Sequence, residues 1–253
     1  MKVVTNFLPD MPEIPLILKE KREIAHNTME FVFEKPAGFD YKPGQFMTLI
    51  YPDQPYTDAK GNRRSMSFAS SPTEPEISFG MRMSMSAYKR SLTDAPIGAK
   101  LSGIGPAGRF LLPEDPAAEL VFLAGGIGIT PFRSMVKYLT DKNIPSKATL
   151  IYCNNCLRDT SYLPEFTAWE KQNPNLKLMV TMTDPDQVEK EWTGRCGLIT
   201  EELLKEVVSD IVKPTYMIVG PPGMVEAMVR LLKSLNVLET QIKIEKFTGY
   251  EAQ

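Results

Sequence analysis

The sequence predicts two domains of different class: an antiparallel β domain, a barrel or a sandwich, over residues 1–114, and a doubly wound parallel-sheet α/β domain over residues 115–253. Three observations carry this expectation. Up to about Leu112, short β-type runs alternate with Pro, Gly, Asn or Asp turn signals. After it, buried apolar runs alternate with amphipathic helical patterns, as parallel strands joined by crossover helices require. A proline-rich stretch from Pro113 to Pro116 separates the two textures.

Six runs make up the first domain: "PLILKEKREI", "TMEFVFEKP", "GQFMTLIYP", "SMSFASSP", "EISFGMRMS" and "KLSGIGP". The fourth is chemically unusual. Side chains alternate across an extended strand, so Met66, Phe68 and Ser70 are expected on one face and Ser65, Ser67, Ala69 and Ser71 on the other. The second face is rich in hydroxyls and poor in charge, with Arg64 at its start. Such a face offers hydrogen bonds to a ligand; the alternative for Ser67 is a hydroxyl bonded to the backbone.

In the second domain the expected strands are "ELVFLA", "ATLIYC", "LKLMVTM", "TYMIVG" and "QIKIEKF". Between and after them, "PFRSMVKYLTD", "SYLPEFTAWEKQ", "TEELLKEVV" and "PPGMVEAMVRLLKSL" read as helices. The first strand runs into Gly125, Gly126 and Gly128, and Thr130-Pro131 then opens a helix, threonine as N-cap and proline at the first position. Glycines at a strand-to-helix turn let a ligand approach backbone N–H groups at the positive end of the helix dipole. A dinucleotide pyrophosphate is the expected guest, although the GxGxxG fingerprint is absent; a tight turn without ligand is the alternative. "VGPPGM" repeats the arrangement with Gly220 and Pro221, placing two strand ends on one rim.

Composition sets the bounds. Hydrophobic residues are 43% and charged residues 24%, a globular balance. The 29 basic and 31 acidic residues give a net charge of −2, which does not suggest a nucleic-acid surface. No apolar run has the length of a membrane span, and three cysteines argue against a disulfide framework. A cytoplasmic location is expected.

"PGQF", "RSMSFASSP", "AGGIGITPF", "GPPGM" and the ending "FTGYEAQ", in this order and spacing, resemble the ferredoxin–NADP reductase superfamily over about Pro15 to Tyr250. The resemblance implies an N-terminal flavin-binding β-barrel, a C-terminal nicotinamide-nucleotide domain, and FAD between them. It implies that Arg64 pairs with the flavin pyrophosphate, and that Ser67 and Ser70 complete an Arg-x-Tyr-Ser-x-x-Ser motif with Ser67 orienting flavin N5. Ser86, in "MSMSAYK", matches the serine of a Gly-x-x-Ser phosphate turn, and Ser65, Met66, Met81, Arg82 and Met83 complete the flavin side. Gly125, Gly126, Gly128, Thr130 and Pro131 match the turn that receives NAD(P)H, with Thr130 at the nicotinamide end. Asn155, Arg158, Gly220, Pro221 and Met224 complete that side, and Phe247 and Tyr250 resemble the C-terminal aromatics that approach the flavin ring.

The chain departs from the family pattern at three positions: Met66 replaces Tyr, Met83 replaces the Gly before Ser86, and Val219 replaces Cys before "GPP". A thioether packs well on aromatic rings. The implied chemistry is hydride transfer between the nicotinamide C4 and flavin N5, the protein supplying alignment. Expected cofactors are FAD and NADPH or NADH; Arg158 favours a 2′-phosphate and Asp159 opposes it. The expected acceptor is a small carrier such as ferredoxin or flavodoxin. The alternatives are free-flavin or ferric reduction, or service as an electron-transfer subunit of a larger complex. Lys19 to Arg22 and Lys89-Arg90 are candidate docking charges or ordinary solvated faces, and Arg82 stands equally as a phosphate contact or a solvated strand residue. His26 reads as a solvated turn residue, and Cys153 and Cys156 as a structural thiol pair; no metal site is expected.

Overall fold

The computed structural model describes residues 12–184 and 192–247, so the candidate aromatic Tyr250 lies outside the described residues. The first domain contains β1 (Ile14–Ala25), β2 (Thr28–Glu34), β3 (Phe46–Ile50), β4 (Arg63–Ser67), β5 (Glu76–Arg82), α1 (Ala87–Asp94) and β6 (Lys100–Ala107). The strands form one antiparallel sheet in the order β4-β3-β6-β1-β2-β5. Ala69 N donates to Ser78 O at 2.8 Å just past β4, bringing the two sheet ends together around a core of Leu16, Leu18, Phe31, Phe33, Phe68 and Phe79.

The serine-rich run departs from simple alternation. Its strand stops at Ser67, and Ser67 through Ser71 are all buried. Phe68 stacks on Tyr41 with centroids 4.0 Å apart, and its N–H donates to Gln45 O at 3.0 Å. Packing of one aromatic side chain therefore turns the chain inward before the alternation finishes.

The second domain contains β7 (Glu119–Gly125), α2 (Thr130–Asp141), β8 (Lys147–Asn154), α3 (Leu163–Gln172), β9 (Leu176–Met182), β10 (Arg195–Cys196), α4 (Glu201–Val207), β11 (Thr215–Gly220), α5 (Pro222–Ser234) and β12 (Ile242–Lys246). Its sheet is parallel, in the order β10-β9-β8-β7-β11-β12. The period of two divides β7: Leu120, Phe122 and Ala124 pack with α2 and α3, whereas Val121 and Leu123 pack with α4 and α5. Strand order reverses at β7, which has β8 on one side and β11 on the other, so a crevice opens at their carboxyl ends.

Thr130 is not the N-cap expected of it. It is already helical, at φ −53° and ψ −54°, and its hydroxyl donates to Ile127 O in the 3-10 turn Gly126–Ile129. The apolar layer under α2 crosses the domain boundary through Ala69 and Phe110, the latter edge-on to Phe132 at 6.0 Å.

Phe68 is fully buried at the point where β4 leaves the ladder. Phe68→Ala is expected to lower unfolding stability by about 3–5 kcal/mol, measured by urea titration.

Candidate functional site

A cleft of about 650 Å³ opens between the domains. One wall is Phe46, Arg64, Ser65, Met66 and Ser67 from β3 and β4; a second is Gly80, Met81 and Arg82 from β5, continued by Met83, Ser84, Ser86 and Lys89. Ile127 and Thr130 close it from the second domain, with Glu245, Lys246 and Phe247 from the end of β12. Thus Arg64, Ser65, Met66, Ser67, Met81, Arg82, Met83, Ser86, Thr130 and Phe247 meet in one cavity although they span most of the chain.

One end of the cleft is cationic. Lys60, Arg64, Arg82 and Lys89 all line it. Arg64 Nη1 donates to the carbonyls of Lys60 and Gly61 at 3.1 Å each and of Arg63 at 2.6 Å, while the guanidinium lies 5.0 Å from the Tyr88 ring centroid. Its Nη2 is buried without a hydrogen-bond partner, 3.9 Å from Asp58. Asp58 already accepts from Ala87 N at 2.9 Å and Lys60 N at 2.8 Å; these backbone N–H groups, Ala87 first, hold its carboxyl below the usual range. Burial first, then the charges of Arg64, Arg82 and Lys60, push the Lys89 amine down to about 8. Ser86 caps α1 by accepting from Lys89 N, which turns that helix N-terminus toward the cleft. Four cations lining one cleft, one of them with its amine lowered by burial and by the other three, fit a diphosphate.

The other end carries the apolar and hydroxyl groups Phe46, Met66, Ser67, Ile127, Thr130 and Phe247. Burial pushes the Glu245 carboxyl up to about 7, and its Oε2 is buried without a partner. The hydroxyl proton of Thr130 is committed to Ile127 O, which leaves this residue its methyl group and its oxygen lone pairs to offer. The Ser65 hydroxyl is tied to Thr48 Oγ1 at 2.9 Å.

The remaining expected residues lie elsewhere. Ser70 is buried behind the wall, where its hydroxyl accepts from Ser78 N at 2.9 Å and is 2.8 Å from Tyr41 Oη. It belongs to the barrel core, not to the cavity. The turn holding Gly125, Gly126 and Gly128 abuts the turn holding Gly220, Pro221 and Met224. A Cβ on Gly128 would lie 2.5 Å from Val219 O, so turn-to-turn packing alone demands that glycine. Asn155 and Arg158 lie past the end of β8, outside the cleft lining. Asn155 O accepts from Asp184 N at 3.0 Å, and Arg158 O accepts from His26 N at 2.9 Å. His26 is therefore an interdomain contact, with its ring nitrogen 3.4 Å from Asp159, rather than only a solvated turn residue.

Lys60, Phe46, Gly80, Ser84, Lys89, Ile127, Glu245 and Lys246 were not among the expected site residues. Two had a readable signal. Lys89 is three residues past the N-cap serine, and Glu245 shares the period-two face of Phe247. Lys19 to Arg22 do not form a free cationic face: Lys19 pairs with Glu76, Lys21 caps the carbonyls of Thr93 and Ala95, and Arg22 pairs with Glu30. Arg90 stacks over Tyr56 at 3.8 Å. Cys153 is half-buried, Cys156 buried and Cys196 exposed, and burial pushes the Cys153 thiol up to about 11. Among the described residues no three His, Cys, Asp or Glu side chains converge as metal ligands, and no helix is long and apolar enough to cross a membrane.

A raised carboxyl pKa means that folding penalises the charged form. Glu245 therefore withdraws stability as pH rises from its ordinary 4.5 through about 7. Glu245→Gln is expected to match the wild type at pH 4 and to exceed it by about 1–2 kcal/mol at pH 8 in parallel urea titrations.

Residues 122–230 match the family model described as an oxidoreductase NAD-binding domain. Over 182 residues the chain is 32% identical to the F component of the Na(+)-translocating NADH-quinone reductase of Serratia proteamaculans, covering 70% of this chain and 43% of that protein. Over 211 residues it is 27% identical to the glycine betaine monooxygenase reductase subunit of Chromohalobacter salexigens, covering 82% and 56%. The chain thus spans about half the length of these curated relatives. Its fold matches a ferredoxin NADP+ reductase from Neisseria gonorrhoeae at TM-score 0.76 and 18% identity, over 92% of this chain and 98% of that one. It also matches the cytochrome P450 reductase of Amycolatopsis at TM-score 0.79 and 22% identity, over 94% and 71%. The second domain thus matches the oxidoreductase NAD-binding domains, and the chain as a whole has the two-domain fold of a ferredoxin NADP+ reductase.

Proposed function

We propose that this chain is a flavin-dependent NAD(P)H oxidoreductase that holds FAD in the interdomain cleft and passes electrons to a separate redox protein. The observation that carries the reading is the convergence of four cations, Lys60, Arg64, Arg82 and Lys89, on a cleft that the Ile127–Thr130 turn of the second domain also lines. Bound flavin supplies a two-electron acceptor for the hydride of a reduced nicotinamide. Arg64, Lys60, Arg82 and Lys89 bind the diphosphate by charge-assisted hydrogen bonds. Met66 and Met81 line the ring site with polarizable and aliphatic surface, and Ser67 presents a hydroxyl there. Ile127 and Thr130 orient the nicotinamide by shape, and Phe247 excludes water from the same end. Glu245 holds a proton at its carboxyl below about pH 7.

The carrier is a ferredoxin, a flavodoxin or a similar small protein in the first reading. Placement inside a larger complex is the second, favoured because the relatives above are named as subunits and are longer than this chain. Internal pairing of Lys19 to Arg22 removes one argument for an acidic carrier at that face. For the coenzyme, Arg158 favours a 2′-phosphate and the Asp159 carboxylate beside it opposes one; the name NADH-quinone reductase speaks for NADH. Separate NADH and NADPH titrations decide. A cytoplasmic location belongs to the same reading.

Purified protein is expected to take up FAD and to bleach anaerobically with NADH or NADPH; a chain that binds no FAD overturns the reading. Arg64→Ala is expected to weaken FAD binding by about tenfold or more, measured by fluorescence titration. The Lys89 amine loses its charge through about pH 8, so FAD affinity should fall as pH rises past that value. Lys89→Met should flatten that dependence.

A further inference from the structure

A polar knot lies directly behind the β5 wall of the cleft, and the chemistry above leaves it unused. Glu30 is fully buried and accepts from Arg22 Nε at 2.6 Å, Ser78 Oγ at 2.7 Å and Tyr162 Oη at 3.2 Å. The first two partners belong to the barrel; Tyr162 belongs to the second domain. Tyr162 precedes α3 at φ 60°, a left-handed conformation that is strained for a non-glycine residue and persists only where the surroundings impose it. Its ring lies 5.1 Å from the Arg133 guanidinium, which itself donates to Ala69 O and Glu74 across the boundary and pairs with Glu165. Burial and the Glu30 charge push the Tyr162 phenol well above its ordinary value, so it stays a donor.

The same hydroxyl touches the site. A Cβ built on Gly80 would lie 2.8 Å from Tyr162 Oη, 2.9 Å from Thr130 Cγ2 and 3.4 Å from Ile127 Cδ1. Gly80 is therefore a glycine of close approach: all three neighbours come from the second domain, and Gly80, Ile127 and Thr130 all line the cleft. Arg133 stands one turn beyond Thr130 on α2, so the helix that begins at the nicotinamide turn is clamped to the barrel at both places.

We propose that Tyr162 is a positioning residue, whose hydroxyl anchored on Glu30 fixes the Ile127–Thr130 turn against Gly80 and so sets the separation of the two half-sites. This rests on the flavin reading above, because the reacting groups are those that the two walls would hold. Hydride transfer depends steeply on distance, and a displacement near 1 Å can cost about a hundredfold in rate.

The test uses Tyr162→Phe, which keeps the ring and removes the tether, and Gly80→Ala, which inserts a methyl at the contact. In the flavin-free proteins, amide exchange over residues 126–130 should rise about tenfold or more in both variants, with β1 and β6 unchanged. In the FAD-loaded proteins, reduction at saturating coenzyme should slow about tenfold or more in both variants, while in Tyr162→Phe FAD affinity and coenzyme KM change less than about twofold. Unchanged exchange over 126–130, or reduction at the wild-type rate, overturns the proposal. A wild-type protein that binds FAD and is reduced by neither coenzyme overturns instead the reading on which it rests, and the exchange result still decides whether Tyr162 is the tether.

Discussion

A buried guanidinium between two folding units constrains everything else in this molecule. Arg133 is only 4% exposed, yet it carries a full charge and is held by Glu74 of the barrel and Glu165 of its own domain. Desolvating such a group is costly unless its partners are in place. Ala69 O, also from the barrel, accepts from Nη1, so the two Nη groups find their partners only when the two domains meet in this one orientation, while Nε is buried without one. The apolar layer of Phe110, Phe122 and Phe132 supplies area at the same seam but little direction. Charge and hydrogen bonding supply the direction, and the cleft inherits its shape from them.

That shape places opposite chemistries at the two ends of one cavity. The cationic end is built from a loop lysine, arginines of two different strands and a helix lysine, each brought by a different element. Burial first, and then mutual repulsion among them, depress the Lys89 amine, and a dianionic guest relieves the repulsion. The far end has few charges, a buried acid raised to about 7, and a glycine contact that leaves no space between the domains. Alignment, not acid–base machinery, is what such an end provides.

Much of this was legible in the chain. "ELVFLA" has no polar residue after Glu119 and could only be a buried strand, and each run of the doubly wound domain became the element expected of it. β10 was not foreseen, because two residues carry no period. The early end of β4 was hidden because Phe68 answers to Tyr41, not to its neighbours in sequence. In the site, Ser67 and Arg64 stood out as a hydroxyl-rich strand face with a cation at its start, and Met66 because it replaces the Tyr of the motif. Lys60, Lys89 and Glu245 looked like ordinary surface charges, since burial by a second domain leaves no local mark. Ser70 and Thr130 kept their motif positions but spend their hydroxyls on the fold. Tyr162 was invisible for the strongest reason: its partner Glu30 is 132 residues away.

The central claim is that the cleft brings a flavin and a nicotinamide into direct contact. Anaerobic stopped-flow mixing of the FAD-loaded protein with coenzyme deuterated at the transferred C4 position tests it most directly. The account predicts single-phase bleaching of the flavin slowed by a primary isotope effect. Bleaching at the same rate with both isotopologues, with binding and release shown to be fast, would contradict direct transfer in this cleft.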